Sequence, residues 1–402
     1  MNPLLDKLQP YPFERMAALL AGVQPDAGHS PVNLSIGEPK HPTPSVITDA
    51  MAAAFAGLAS YPATAGGPEL RAGIAGWLRR RYRLDAIDPQ TQVLPVNGSR
   101  EALFAFAQAV IDPRADALVV CPNPFYQIYE GAALLAGAGV HYVEQSPANG
   151  FRCDWAAVPE AVWARTQLLY VCSPGNPTGT VMPLDEWRLL FALADRHGFA
   201  IAADECYSEI YLDEGAPPLG SLEAAQALGR HDYRGLVAFS SLSKRSNAPG
   251  MRSGFVAGDA RLIGAFRLYR TYHGSAMSPT VQAASLAAWN DEAHVEANRR
   301  LYREKFDALA PLLDGVLDTA RPQAGFYFWA QVPGGDDQAF VRELYRRFNV
   351  LALPGSFLAR EAGGRNPGSG FIRLALVEPL SRCLEAAARI RSFVQAMERA
   401  GA

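Results

Sequence analysis

Residues 240–254 have the sequence SSLSKRSNAPGMRSG, and they lie between two apolar runs, 235–239 and 255–258. Each run is typical of a buried strand. A lysine is rarely buried without a partner, and burial lowers its pKa until the amine can be neutral and nucleophilic. Lys244 therefore occupies a position suited to forming a Schiff base with a carbonyl compound. The alternative is a lysine solvated in a loop, and residues elsewhere in the sequence have to distinguish the two.

The composition is that of an ordinary globular protein. With 402 residues the chain exceeds one compact core, so we expect two domains, one of which can be small. A net charge of −3 favours neither nucleic acid nor an anionic membrane as a partner. No apolar run approaches the roughly 20 residues that span a bilayer. Because segment 1–23 does not resemble a secretory signal, the cytoplasm is the expected compartment.

Cysteine and histidine spacings argue against a metal centre or a disulfide framework. The five cysteines are scattered and include no C-x-x-C pair. The seven histidines include no H-x-x-x-H or H-E-x-x-H spacing. We therefore expect no metal and no disulfide.

From residue 92 onward, short apolar runs alternate with helical patterns. The strand-like runs are 92–96, 117–121, 140–143, 167–172, 199–203 and 236–239, and helical patterns between them include 101–111, 127–136 and 184–197. Runs that are apolar throughout and alternate with helices indicate a mainly parallel sheet sandwiched by helices. The sequence therefore predicts an α/β fold.

The pattern changes towards the C-terminus. After Pro279 it is helical to about Leu313, and then strands and helices are mixed. We predict an N-terminal segment, 1–45, that joins a small domain, a large domain over 46–290, and a small α+β domain over 291–402.

In an open α/β sheet, ligands bind beyond the carboxyl ends of the strands, so the residues after each run are informative. Gly98, Ser99 and Arg100 follow the first run and enter a helix, whose N-terminus suits a phosphate. A plain helix cap is the alternative. Phe125 and Tyr126 follow the next run, where an aromatic ring either stacks on a flat heterocycle or is part of the core.

Two further strand ends carry polar groups. Residues 173–179, SPGNPTG, form a rigid turn that directs the amide of Asn176. Asp204 follows five apolar residues, so its carboxylate is poorly solvated and needs a cationic partner. The protonated ring nitrogen of pyridoxal phosphate would serve, and that pairing makes the cofactor an electron sink. A structural ion pair with an arginine is the alternative.

Together these motifs resemble the fold-type I pyridoxal-phosphate enzymes of the class I aminotransferase group. The resemblance runs from residues 36–39, IGEP, to Arg373 and covers nearly the whole chain. Its strongest parts are 173–179, the pair Asp204 and Tyr207, and the S-x-S-K-x-x-x-x-P-G-x-R-x-G spacing within 241–254.

The resemblance implies a role for each matching residue. Lys244 is implied to bond the cofactor and to move the substrate proton. Asp204 is implied to pair with the ring nitrogen, and Asn176 and Tyr207 to bind the ring oxygen. Arg373 is implied to bind the substrate carboxylate, with Asn176 and the backbone of Gly37. The other implied cofactor residues are Tyr126 on the ring, Ser99, Arg100, Ser241, Ser243 and Arg252 at the phosphate, and Tyr61 at the phosphate of the neighbouring subunit. The last of these implies a homodimer with shared active sites.

Two segments are similar to bacterial N-succinyldiaminopimelate aminotransferases, namely 2–13, NPLLDKLQPYPF, and 269–278, YRTYHGSAMS. This similarity implies transamination of N-succinyl-L,L-2,6-diaminopimelate with 2-oxoglutarate or glutamate, in the biosynthesis of diaminopimelate and lysine. Because such a substrate has a distal carboxylate, we expect a second cation near the site. The candidates are Arg15, Arg270 and His273.

Other functions fit parts of the same pattern. Another class I aminotransferase, of aspartate, alanine or aromatic type, would use the same residues. A carbon–sulfur β-lyase shares the fold and Lys244, and product analysis separates it. A transcription regulator that senses the cofactor would need an added DNA-binding domain, and a non-catalytic α/β binding protein would not require Lys244.

Overall fold

A seven-stranded sheet lies at the centre of the computed structural model, which describes residues 1–401. Its strands are β2 (Val93–Val96), β3 (Leu118–Asn123), β4 (Gly139–Glu144), β5 (Thr166–Cys172), β6 (Ala200–Asp204), β7 (Leu236–Ser241) and β8 (Gly254–Gly258). The spatial order is β2-β8-β7-β6-β5-β3-β4. Strands β3 to β7 pair in parallel, whereas β8 is antiparallel to both β2 and β7. The predicted α/β fold with a mainly parallel sheet is confirmed.

The antiparallel strand has a simple cause. Only residues 242–253 connect β7 to β8, and they make short helical turns rather than a full crossover helix, so the chain reverses direction beside β7. Because β2 is also antiparallel to β8, it runs in the same direction as β7. The carboxyl ends of β2, β3, β5, β6 and β7 therefore share one edge of the sheet.

Helices cover both faces of this sheet. Those that pack on it are α2 (Ser45–Ala53), α3 (Pro68–Tyr82), α4 (Ser99–Val110), α5 (Ile128–Leu135), α6 (Glu160–Trp163), α7 (Leu184–His197), α8 (Ser221–Ala227), α9 (Leu242–Arg245), α10 (Ala260–His273) and α11 (Pro279–Asn290). The other helices pack on the second sheet, namely α1 (Pro12–Leu19), α12 (Ala293–Leu313), α13 (Asp337–Phe348) and α14 (Leu380–Gly401). Successive residues of a strand point to opposite faces. Leu168 accordingly belongs to the core under α4 and α5, and Leu169 to the core under α3 and α7. No helix within residues 1–401 is long and apolar enough to cross a membrane.

A second, antiparallel sheet contains β9 (Asp318–Thr319), β10 (Tyr327–Gln331), β12 (Leu353–Pro354) and β13 (Phe371–Ala375), and α12, α13 and α14 share its core. The N-terminal strand β1 (Val32–Asn33) pairs with β11 (Val350–Leu351), and Leu34 O accepts a hydrogen bond from Ala375 N at 2.7 Å. The chain at Leu34 thus bonds to β11 through its N–H group and to β13 through its carbonyl oxygen. The domain boundaries at 45 and 290 remain a prediction.

Strand β7 extends two residues beyond the predicted end at Phe239, to Ser241. The reason is that Ser240 and Ser241 pair with Phe255 and Gly254 in the ladder. A Cβ atom at Gly254 would collide with the carbonyl oxygen of Ser240, so this close approach requires glycine. The strand therefore delivers the lysine-bearing turn directly to the edge of the sheet.

Candidate active site

A cavity of about 410 Å³ lies at the shared edge of the sheet, against the second sheet. Its lining includes every residue predicted to bind the cofactor or the substrate α-carboxylate except Tyr61, namely Gly37, Ser99, Arg100, Tyr126, Asn176, Asp204, Tyr207, Ser241, Ser243, Lys244, Arg252 and Arg373. A volume of this size is typical of small-molecule sites. Residues at the carboxyl ends of five strands, Arg373 of β13 and the N-terminal segment therefore meet in one place.

Lys244 lies on α9, the helical turn after β7, and its side chain enters the cavity. Its amine donates a hydrogen bond to the carbonyl oxygen of Gly37 and lies 5.5 Å from the ring centroid of Phe326. Burial lowers the pKa of Lys244 to about 8. A substantial fraction of the amine is therefore neutral near that pH, and a neutral amine can attack a carbonyl carbon.

Asp204 is the last residue of β6 and is 4% exposed. Its Oδ2 accepts a hydrogen bond from the hydroxyl of Tyr129 at 2.7 Å, and its Oδ1 accepts one from the backbone of Cys206 at 3.2 Å. Burial raises the pKa of this carboxyl group. Within the described chain Asp204 forms no ion pair with an arginine, so the alternative of a structural ion pair does not apply. A buried carboxylate that has hydrogen-bond donors but no cation suits the protonated ring nitrogen of pyridoxal phosphate.

Tyr129 belongs to the site although the sequence analysis placed it only in a helical pattern. It is fully buried on α5, and its ring stacks on Tyr170 at 4.7 Å with a 10° interplanar angle. Tyr126 precedes α5, and its ring contacts that of Tyr129 edge to face at a centroid distance of 5.8 Å. The hydrogen bond from Tyr129 to Asp204 depends on the packing of α5 over β6, which periodicity does not specify.

The opposite part of the cavity is rich in donors. Gly98, with φ +87°, precedes Ser99 and the N-terminus of α4, where backbone N–H groups are free of intrahelical partners. A Cβ atom at Gly98 would collide with the guanidinium of Arg252, so glycine lets the arginine lie against the turn. The thiol of Cys206 donates to the hydroxyl of Ser99 at 2.9 Å, next to Ser241. Hydroxyls, a helix N-terminus and an arginine together match a phosphate dianion.

Arg373 lies on β13 and is 5% exposed. Its Nη1 donates to Asn176 Oδ1 at 3.0 Å and its Nη2 to the Ser35 carbonyl at 2.9 Å, while its Nε has no partner. The guanidinium lies 4.4 Å from the ring centroid of Tyr327. A buried arginine without a carboxylate partner in the described chain is suited to a carboxylate supplied by a ligand.

Tyr327 is a second residue that the sequence analysis did not identify. Its hydroxyl lies 2.7 Å from that of Tyr207, and a Cβ atom at Gly37 would collide with it. In the sequence it is one aromatic residue in a strand-like run, and nothing there shows which face of the strand it occupies. Gly37 is therefore needed for space as well as for its backbone.

The predicted second cations do not lie in the cavity. Arg270 is fully buried and pairs with Glu101 at 2.5 Å, so its charge is already satisfied. Arg15 lies 4.2 Å from the ring centroid of Phe357, and His273 bonds to Ser275 at 2.9 Å. The cavity contains instead Arg100, whose exposed guanidinium lies 5.3 Å from the ring centroid of Tyr11.

Tyr61 is fully exposed and does not reach the cavity of its own chain. Phe55 and Leu58, in the preceding 3-10 turn, are also exposed, at 59% and 64%. The prediction that Tyr61 reaches a neighbouring subunit therefore stays a prediction.

Comparisons with known proteins show the family to which the chain belongs. The family model for aminotransferase class I and II matches residues 30–390. A crystal structure of an aminotransferase from Neisseria meningitidis Z2491 has a TM-score of 0.95 at 54% identity and covers 98% of this chain and 100% of that one. An LL-diaminopimelate aminotransferase from Dehalococcoides mccartyi is 33% identical over 98% of both chains. A Thermus thermophilus structure, described as a probable N-succinyldiaminopimelate aminotransferase, has a TM-score of 0.84 at 28% identity and covers 95% of this chain and 99% of that one.

Proposed function

The chain belongs to the class I and II aminotransferase family and is therefore a pyridoxal-phosphate-dependent aminotransferase, and we propose that it transfers an amino group between N-succinyl-L,L-2,6-diaminopimelate and 2-oxoglutarate. The observation that carries the choice of substrate is the content of the cavity. Three arginines without a carboxylate partner in the described chain line it, and since Arg252 is assigned to the cofactor phosphate, Arg373 and Arg100 remain for the substrate. Asp204 is the one carboxylate among the lining residues.

The lining residues fit the cofactor. Lys244 would bond it covalently, Asp204 would pair with its ring nitrogen, and Tyr126 would lie on its ring. Ser99, Ser241, Ser243 and Arg252 would bind its phosphate, together with the backbone of Arg100 at the start of α4. When bound, pyridoxal phosphate supplies a conjugated ring that accepts the electron pair left on the substrate Cα.

The protein's own residues then position the substrate and move its proton. Arg373 and Asn176 bind the α-carboxylate, which fixes how the Cα–H bond is presented. The Lys244 amine, whose burial lowers its pKa to about 8, would move the proton from the substrate Cα to C4′ of the cofactor. Tyr11 and Leu358 contribute apolar surface to the lining of the cavity.

Charge matching supports an acylated substrate. The distal carboxylates of N-succinyldiaminopimelate would meet Arg100, which has no acidic partner in the described chain. LL-Diaminopimelate, the substrate named for several relatives, has a free distal ammonium as well. Among the lining residues of the described chain, Asp204 is the one carboxylate, and its place in the proposal is at the cofactor ring. A succinylated nitrogen carries no positive charge and needs no acid beside it.

The test is a comparison of amino donors with the purified holoenzyme and 2-oxoglutarate. We expect glutamate formation from N-succinyl-L,L-2,6-diaminopimelate with a kcat/KM at least about tenfold above that for LL-diaminopimelate, since an unpaired buried charge costs more than one factor of ten. The reverse preference would assign the second substrate instead. Pyruvate and ammonia from a thioether amino acid, without glutamate, would indicate a β-lyase.

We propose further that the enzyme is a homodimer with shared active sites. The support is a set of large side chains that the single chain leaves exposed, namely Phe55, Leu58, Tyr61, Leu268 and Tyr272. Sedimentation of the protein tests the assembly. Loss of cofactor affinity in Tyr61→Phe, measured beside Tyr272→Phe, tests whether the Tyr61 hydroxyl contacts a phosphate. A monomeric active enzyme would contradict the proposal.

A further inference from the structure

A buried lysine outside the cavity has an unusual partner. Lys305, on α12, is 2% exposed, and its Nζ lies 2.8 Å from Nε2 of His41 and 3.0 Å from the carbonyl oxygen of Leu376. The described residues place no carboxylate within ion-pair distance of this amine. Burial of an amine whose partners are a histidine and a carbonyl costs free energy of folding. This cost indicates that the contacts of Lys305 have a role in the protein.

Asn298 connects this pair to the catalytic lysine. Its side-chain Nδ2 donates to the backbone carbonyl of Lys244 at 3.2 Å, which fixes the orientation of the amide. Its Oδ1 is then the acceptor for Asn247 Nδ2 at 3.0 Å and for the ring of His41 at 2.9 Å. His41 Nδ1 must therefore carry a hydrogen, and its Nε2 is the atom that meets Lys305.

The contact between His41 and Lys305 can form only while the two groups are not both positively charged. Neutral His41 accepts at Nε2 from the amine of Lys305, whether that amine is charged or neutral. If both groups are protonated, two N–H donors point at each other across 2.8 Å and the contact cannot form. The contact between His41 and Lys305 therefore survives alkaline pH and opens in acid.

The segment that carries His41 also contacts the active site. The carbonyl of Gly37 accepts from the Lys244 amine, and the carbonyl of Ser35 accepts from Arg373. We infer that His41 and Lys305 are positioning residues, which hold segment 35–41 against the turn of Lys244 and release it when both are protonated. Their effect on the reaction is exerted through Gly37 and Ser35.

The surroundings favour a singly protonated pair at neutral pH. Burial lowers the pKa of Lys305 to about 8, and burial together with the charge of Lys305 lowers the pKa of His41. The other titratable groups that face the pair are Glu378, which pairs with Lys40 at 2.5 Å, the thiol of Cys383 on α14, and Tyr302, whose ring packs on His41 at 4.7 Å. As the pH falls below the ordinary range of histidine, the second proton binds and the contact opens.

The decisive variant is His41→Gln, because a primary amide supplies one donor and one acceptor at similar spacing and does not titrate. Amide hydrogen exchange of residues 34–43, corrected for the intrinsic rate, is measured on the holoenzyme between about pH 5 and about pH 8, together with kcat and KM of the amino donor. We expect the native protein to lose protection and to raise its KM about tenfold in acid, and His41→Gln to lose that dependence.

Two further variants complete the test. His29→Gln is the control, because His29 lies in the same N-terminal segment but pairs with Asp26 near the surface. It should keep the acid dependence of the native protein. Lys305→Met should lower protection and raise KM at every pH, with a smaller change in kcat. An unchanged acid dependence of exchange in His41→Gln would overturn the inference, even if Lys305→Met does not fold. Because exchange needs no substrate, this outcome is independent of the proposed amino donor.

Discussion

The hydroxyl of Tyr129 lies 2.7 Å from Oδ2 of Asp204 and donates to it inside the core. Burial raises the pKa of both groups, so the tyrosine stays neutral and can act only as a donor towards an ionised Asp204. Tyr129 of α5 therefore orients the carboxylate of Asp204, which we place at the cofactor ring.

Removing this donor should weaken the hold on the cofactor. We expect Tyr129→Phe to lower the affinity for pyridoxal phosphate about tenfold, because a hydrogen bond to a buried charge contributes roughly 1.5–3 kcal/mol. Equilibrium dialysis of the apoenzyme with the cofactor measures the change. Tyr170→Phe is the control, since Tyr170 stacks on Tyr129 but donates its hydroxyl to Leu103 O at 2.6 Å. An equal loss in both variants would assign the effect to packing.

Lys244→Ala should abolish transamination and leave the fold intact. The side chain carries the proposed covalent and proton-transfer roles, whereas its one polar contact is with the Gly37 carbonyl. Turnover and thermal unfolding of the variant are measured beside Lys40→Ala, which removes a half-exposed lysine of the same N-terminal segment as Gly37. Appreciable turnover by Lys244→Ala would refute the assignment.

Arg373→Ala should raise the KM of the amino donor by about a hundredfold or more, with a smaller effect on kcat. The reason is that truncating one partner of a buried charged pair costs roughly 2–5 kcal/mol. Steady-state kinetics with glutamate measures it, and Arg342→Ala, at an exposed position of α13, serves as the control. An unchanged KM would remove Arg373 from the substrate site.

Arg100→Ala should change the choice of substrate. We expect kcat/KM for the succinylated diaminopimelate to fall about tenfold and kcat/KM for alanine to change little, because alanine has no distal carboxylate to lose a partner. The ratio of the two values is the measurement. Equal losses for both donors would indicate that Arg100 serves only the phosphate.

The capture of cofactor should depend on pH in a defined direction. Burial lowers the pKa of Lys244 to about 8, and only the neutral amine attacks the aldehyde. The rate of reconstitution of the apoenzyme should therefore rise as the pH increases through about 8 and then level off. Stopped-flow absorbance follows the reaction. A rate that is constant across this range would mean that the amine is already neutral or that another step limits capture.

The sequence was informative where polar residues interrupt apolar runs. Asp204, Asn176 and Ser99 each follow a run that had to be a strand, and a parallel sheet brings such ends to one edge. The predicted strands therefore indicated where the cavity lies. Local pattern was sufficient because burial of both sheet faces leaves little choice for the residues in between.

The residues that escaped prediction are those whose role depends on side-chain direction. Tyr129 and Tyr327 sit in a helix and a strand of ordinary pattern, and only the packing of those elements turns their hydroxyls towards Asp204 and Tyr207. The prediction that Arg270 supplies a second cation at the site was wrong for a related reason. Arg270 lies within segment 269–278, which suggested it, but Glu101 neutralises its charge inside the core.

The hydrogen bond from Lys244 to Gly37 links cofactor loading to the N-terminal segment. An amine that has condensed with an aldehyde has fewer hydrogens to donate, so loading takes this donor away from the Gly37 carbonyl. Cofactor and segment thus compete for one nitrogen. A competition of this kind is a thermodynamic linkage. The factor by which cofactor binding weakens the docking of the segment equals the factor by which docking of the segment weakens the affinity for the cofactor. The enzyme without cofactor therefore holds Gly37 and its segment more tightly than the loaded enzyme does.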